Sequence, residues 1–202
     1  MAALAKVDAC AIASETCLIF AYGSLMWRPS FTYKARQSAY VCGYIRRFWQ
    51  TSDDHRGTKD FPGRVACLLR AEDVANHEPS SSNDDKVWGC MYSVEHGNLQ
   101  EILQSLDQRE QNGYTRTLTT GFDEYGQSLG DCFVYVCCTS HPSYSPMLDV
   151  RLIASTIVQA CGMSGPNIEY VIKLHACLTD MGKSDEYINL LTFLCKGMVS
   201  LN

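Results

Sequence analysis

Residues 17–27, CLIFAYGSLMW, set an apolar and aromatic run directly against a glycine-containing turn. So short and apolar a run, cut off at Gly23, predicts a buried strand that stops abruptly. Gly23 opens backbone conformations closed to other residues, so the amides of Gly23, Ser24 and Leu25 can converge on one concavity. Such a nest receives a carboxylate or an oxyanion. A plain strand followed by a plain turn is the alternative, and the rest of the chain decides between them.

Further strands follow from composition and alternation. Residues 38–51 (SAYVCGYIRRFWQT) predict one long strand bent at Gly43. Residues 63–70 and 87–94 predict two more, and residues 114–122 with 131–138 predict a hairpin around the turn-rich DEYGQSLGD. Residues 72–86 are polar and acidic, with a proline and consecutive serines, and predict a mobile surface insertion. Helical periodicity marks residues 98–110 and residues 150–161, the second closed by Gly162. Asn167 is expected to cap a third helix, and Ser184, Asp185 and Glu186 to start a fourth. Strands first and helices in the C-terminal third give an α+β class. Residues 1–16 are expected to be a loosely ordered extension and residues 17–202 a single domain.

The helix over 98–110 carries the sharpest chemical signal. Leu99, Leu103 and Leu106 define its apolar face, and the next position on that face is Glu110. Desolvation and the negative end of the helix dipole both disfavour the carboxylate there and raise its pKa; pairing with Arg109 opposes them. Glu110 is therefore a candidate general base, with a structural ion pair near a helix end as the alternative. Asn112-Gly113 suits a left-handed helix end, and Tyr114, just beyond, is placed to line the same pocket.

Charge and cysteines narrow the partners. The 202-residue chain has a net charge of −5, which gives no reason to expect nucleic acid. Basic residues crowd 34–70 and acidic residues 71–110, which predicts either a locally positive wall of a cleft or two solvated faces. The 11 cysteines are odd in number and contain no CxxC pair, so they signal neither a disulfide framework nor a zinc site. Most lie in apolar segments, as reduced thiols do. With no apolar signal core and no membrane-length run, a soluble cytoplasmic protein is expected, with no metal, no membrane association and no obligate protein partner.

The segments FAYGSLMW, YIRRFWQTSDDHRG, PGRV, VWGCMY, LDQREQNGY and GPNIEY stand in the order and approximate spacing of the ChaC family of glutathione-specific gamma-glutamylcyclotransferases, which the chain resembles over about residues 18–178. The resemblance implies that family's mixed β-barrel with packed helices. It implies that the γ-glutamyl group of glutathione is held by the strand end and turn of Ile19, Phe20, Ala21, Tyr22, Gly23 and Ser24, that Glu110 accepts the proton, and that no cofactor takes part. Two departures stand out: Asn112-Gly113 replaces the usual pair of glycines, and the 72–86 insertion is long. Ring closure of γ-glutamyl amino acids or γ-glutamylamines is the alternative activity, and a non-catalytic binding module on the same fold is the third reading. Among the remaining polar residues, His55 is expected to stabilise its loop. Arg46, Arg47 and Arg56 are expected in structural ion pairs, with the glycine carboxylate of glutathione as another partner for any of them. Trp27, Trp49 and Trp88 are expected in the core.

Overall fold

The apolar run opening the sequence forms strand β1 (Thr16–Ala21), in a computed structural model that describes residues 16–75, 77, 86–111 and 113–200. β1 pairs antiparallel with β5 (Lys86–Glu95) and parallel with β7 (Ser128–Cys137). β5 continues to β2 (Ala35–Cys42), β2 to β6 (Tyr114–Phe122), and β6 returns to β7 as the expected hairpin. The five strands close into a barrel in the order β1-β5-β2-β6-β7. Closure pairs strand edges that an open sheet would leave bare.

The single long strand expected over 38–51 is two strands. Gly43 takes φ +79, a left-handed turn that alternation of side chains does not reveal, and β3 (Tyr44–Ser52) leaves the barrel to pair with β4 (Gly63–Arg70). The described ends of the segment expected as a surface insertion, 72–86, belong to regular elements, with Lys86 opening β5. Residues 71–74 form a short helix, α1 (Ala71–Val74), whose Val74 is fully buried; residues 76 and 78–85 lie outside the described residues. The N-terminal extension lies outside them too, except for Thr16, which already pairs with Glu95.

The helices are α2 (Leu99–Arg109), α3 (Val150–Gln159), α4 (Asn167–Asp180) and α5 (Glu186–Val199). Gly162 does not close α3. It belongs to β8 (Cys161–Gly162), which pairs with β9 (Gly165–Pro166) before α4 begins. Asp185 caps α5 as expected, accepting from the Ile188 N–H at 3.1 Å, and its other oxygen takes the buried Arg46 at 2.8 Å. Asn167 does not cap α4. Its fully buried side chain accepts from the Arg64 N–H at 2.6 Å and donates to the Arg64 carbonyl at 2.8 Å, standing in for a neighbouring strand along β4. Asn167→Ala leaves both backbone groups without that partner, each costing about 1–3 kcal/mol when buried. A loss of at least about 2 kcal/mol in unfolding free energy is expected from urea denaturation, with the signal from β4 lost in the same transition.

Alternation along β1 divides the interior. Phe20 joins Val41, Met91 and Val134 in a core of barrel residues, while Ile19 and Ala21 join the core shared with Trp49, Ile153, Leu174 and Leu191. The basic segment 34–70 does not form a positive wall. Arg46, Arg56 and Arg64 are buried, and Arg64 donates to the Ser145 carbonyl at 2.6 Å, so these guanidiniums fasten the β3–β4 hairpin to its neighbours. Burial lowers the pKa of Arg64 from its ordinary value.

Candidate active site

The chain leaves β1 at Ala21 and enters a tight turn, with the N–H groups of Met26, Trp27 and Arg28 donating back to the carbonyls of Gly23 and Ser24. The Ser24 N–H donates to the hydroxyl of Tyr170, on α4, at 3.2 Å. The amides of Gly23 and Leu25 donate in none of these bonds. Gly23 has φ −129 and ψ −137, outside the helical and extended regions, and a Cβ there would also stand 2.7 Å from the Tyr170 hydroxyl.

This turn forms one side of a cavity of about 790 Å³, within the range of small-molecule sites. Phe20, Ala21, Tyr22, Gly23, Ser24, Leu25, Tyr114 and Glu110 all line it, so the strand end, the turn and the helix end that the sequence singled out converge. Ile19 does not. It lies deeper in the strand, in the core with Tyr92, where it is fully buried.

Glu110 directly follows α2, and its N–H donates to the Leu106 carbonyl at 2.8 Å. Burial pushes its carboxyl above the usual carboxylate value, and the Arg109 guanidinium opposes this from 3.4 Å without cancelling it. Three tyrosines line the same cavity as this carboxyl and feel its charge. Tyr22 donates to the Tyr135 carbonyl at 2.7 Å and Tyr114 to the Ala66 carbonyl at 3.1 Å, while Tyr170 is held edge-on by Trp27 and Phe48. Desolvation, with the Glu110 charge adding to it, raises all three, Tyr170 to about 12. They remain neutral hydroxyls at any physiological pH. Asn112 lies outside the described residues, and Gly113 supplies the left-handed turn with φ +96.

Other residues meet their expectations unevenly. His55 ties its loop to Ser164, with Nδ1 3.3 Å from the serine oxygen, at the cavity mouth. Arg56 lines the cavity but donates to the Pro166 carbonyl at 2.9 Å and pairs with Glu169. Trp49 is core, whereas Trp27 is half-buried and borders the cavity. Sequence reasoning included Tyr170 in the segment GPNIEY but gave it no role at the site. It also missed that Arg109 donates to Ser24 Oγ at 2.7 Å. No spacing rule relates residues so far apart in the chain.

The fold is similar to that in a crystal structure of a yeast γ-glutamylcyclotransferase specific to glutathione, with a TM-score of 0.82 and 27% identity over 91% of this chain and 97% of that one. The fold class is therefore that of the γ-glutamylcyclotransferases. The chain belongs to the ChaC-like protein family, whose model matches residues 17–197. Among similar proteins, a glutathione-specific gamma-glutamylcyclotransferase of Schizosaccharomyces pombe is 32% identical over 177 residues, covering 85% of this chain and 87% of the relative. Glutathione-specific gamma-glutamylcyclotransferase 1 of Homo sapiens is 36% identical over 160 residues, covering 77% of this chain and 67% of the relative.

Proposed function

We infer that this protein is a glutathione-specific γ-glutamylcyclotransferase, converting glutathione to 5-oxoproline and Cys-Gly with Glu110 as general base. The observation that carries the reading is a half-buried carboxyl, pushed above its ordinary value by desolvation, lining one small-molecule cavity together with the Gly23–Leu25 turn. In the reaction the substrate's α-amino group attacks its own γ-amide carbonyl. A five-membered lactam forms, the C–N bond to cysteine breaks, and no water is consumed. Folding the γ-glutamyl arm back on itself makes the reaction intramolecular, and well-oriented cases reach effective molarities of about 10⁵–10⁸ M.

The amine reaches the site as an ammonium and attacks only after losing a proton. Glu110 takes that proton and returns it to the departing amine of Cys-Gly, a double duty that a raised pKa suits. The Gly23 and Leu25 amides, with the Ser24 hydroxyl, either hold the substrate's α-carboxylate or stabilise the oxyanion of the tetrahedral intermediate. Tyr22, Tyr114 and Tyr170 wall the γ-glutamyl head group from water. Phe20 and Ala21 contribute the strand end that closes the cavity.

A reducing cytoplasmic setting fits the ten described cysteines, all free thiols. Among the described residues no helix is long and apolar enough to cross a membrane. The test is incubation of purified protein with glutathione, a γ-glutamyl amino acid and a γ-glutamylamine in competition. The expected result is equimolar 5-oxoproline and Cys-Gly from glutathione, with the other donors spared. Turnover of another donor alone would replace the substrate, and silence on all three would leave only a binding module.

A further inference from the structure

Arg109 touches both sides of the cavity. Its Nη2 donates to Ser24 Oγ at 2.7 Å, and its Nε lies 3.4 Å from Glu110 Oε1. The partners sit on separate elements: Ser24 in the turn after β1, Glu110 at the end of α2. A guanidinium is a planar fork of fixed N–H directions, so a single head group serves both partners and fixes their separation. About three-quarters of the arginine side chain is withdrawn from solvent, as is about four-fifths of the glutamate's, which shields the pair from the screening that weakens surface ion pairs.

We propose that Arg109 is the positioning residue of this site, a clamp that holds the Glu110 carboxylate and the Ser24 turn as one unit, so that proton acceptor and γ-glutamyl pocket stay in register. The proposal rests on the reading of Glu110 as the base. It has two chemical consequences. Ser24 Oγ accepts from Arg109, so the hydroxyl's own hydrogen is left to donate into the cavity, toward the substrate carboxylate or the oxyanion. The charges also change in step with the reaction: when Glu110 takes the substrate's proton it becomes neutral, and Arg109 is left with an unbalanced positive charge, hydrogen-bonded to the turn, as negative charge builds on the attacked carbonyl.

Among the described residues Glu110 shares the cavity with Tyr22, Tyr114, Tyr135 and Tyr170, with Arg28, Arg56 and Arg109, and with Asp53, Asp54 and His55, and of these charges it is Arg109 that opposes the effect of burial on it. Burial raises the Glu110 pKa and Arg109 opposes it. Removing the arginine must therefore move the acidic limb of the activity profile to higher pH.

The experiment is kcat/KM for 5-oxoproline release from glutathione against pH, for wild type, Arg109→Met, Arg109→Lys, Ser24→Ala and Glu110→Gln, with thermal melts to establish folding. Arg109→Met is expected to shift the limb upward and to lose roughly 10-fold or more on the acid side, the deficit narrowing as pH rises. Arg109→Lys keeps a cation beside Glu110, so its limb returns toward wild type while kcat stays low because the fork is lost. Ser24→Ala leaves the limb in place and lowers the rate. A folded Arg109→Met variant with an unmoved limb overturns the proposal, as does wild-type kcat in Arg109→Lys or in Ser24→Ala. If Arg109→Met does not fold, these last two variants decide. Wild-type activity in Glu110→Gln instead overturns the base assignment, which separates that failure from failure of the clamp.

Discussion

Glu110→Gln is expected to lower kcat/KM for 5-oxoproline release from glutathione by roughly 10²- to 10⁴-fold, because the amide has nearly the shape of the carboxylic acid but accepts no proton from the ammonium. The same variant is expected to be more stable than wild type near neutral pH. Burial raises the folded-state pKa of Glu110 above the ordinary value of 4.5, so below 4.5 the carboxyl is neutral whether folded or unfolded and costs nothing. Between 4.5 and the raised value the folded chain binds the proton more tightly than the unfolded chain does. Stability therefore falls as pH rises through that window, and the penalty is complete above it. Glutamine never ionises and escapes the penalty. It also gives up the Arg109 pairing, but of the two effects on Glu110 burial is the larger. Melting curves on both sides of the window check the sign: a Glu110→Gln advantage present above it and absent below 4.5. An active variant would remove Glu110 from the chemistry, and a variant less stable at neutral pH would show that its ion pair outweighs its burial.

Gly23→Ala is the second large effect expected. A methyl at Gly23 would sit 2.7 Å from the Tyr170 hydroxyl, which accepts the Ser24 N–H and belongs to a ring wedged between Trp27 and Phe48. Either the ring or the turn must move. Displacement of this kind next to a reacting centre costs about 10²-fold in kcat/KM, and forcing a methyl into a packed site costs about 1–3 kcal/mol of stability. Tyr170→Phe removes the atom that clashes. The double variant Gly23→Ala/Tyr170→Phe is therefore expected to recover much of the stability lost by Gly23→Ala alone, while activity stays low because Ser24 has lost its hydroxyl partner. Additive losses in the double variant would show that the glycine is required for a reason other than Tyr170.

The local elements were legible because their signals are local. The apolar run before Gly23, the alternation over 114–122 and the helical spacing of Leu99, Leu103 and Leu106 each report which side of an element is buried, and burial is what side-chain chemistry records. The position of Glu110 on an apolar face was readable for the same reason. Where one residue's backbone angle decides the path, the sequence misled. Gly43 looked like a bend within one strand, yet its φ of +79 separates β2 in the barrel from β3 in another sheet. Asn167 looked like a helix cap, since nothing local says that Arg64, 103 residues away, would need its amide.

The sequence by itself thus determined the α+β class, the strand that stops at Gly23 and the helix whose end carries the half-buried Glu110 carboxyl. The tertiary structure alone decided that these ends meet. Barrel closure through the parallel β1–β7 pairing and the seating of α4 on the turn bring Tyr170 and Arg109 to Ser24, contacts that span 146 and 85 residues. Such contacts depend on how whole elements pack, and packing is a property of complementary surfaces that no single segment encodes. The same argument explains Ile19 and Phe20, adjacent in sequence and equally apolar: only the pleat of a paired strand sends Ile19 into the core shared with the helices and Phe20 into the core of the barrel.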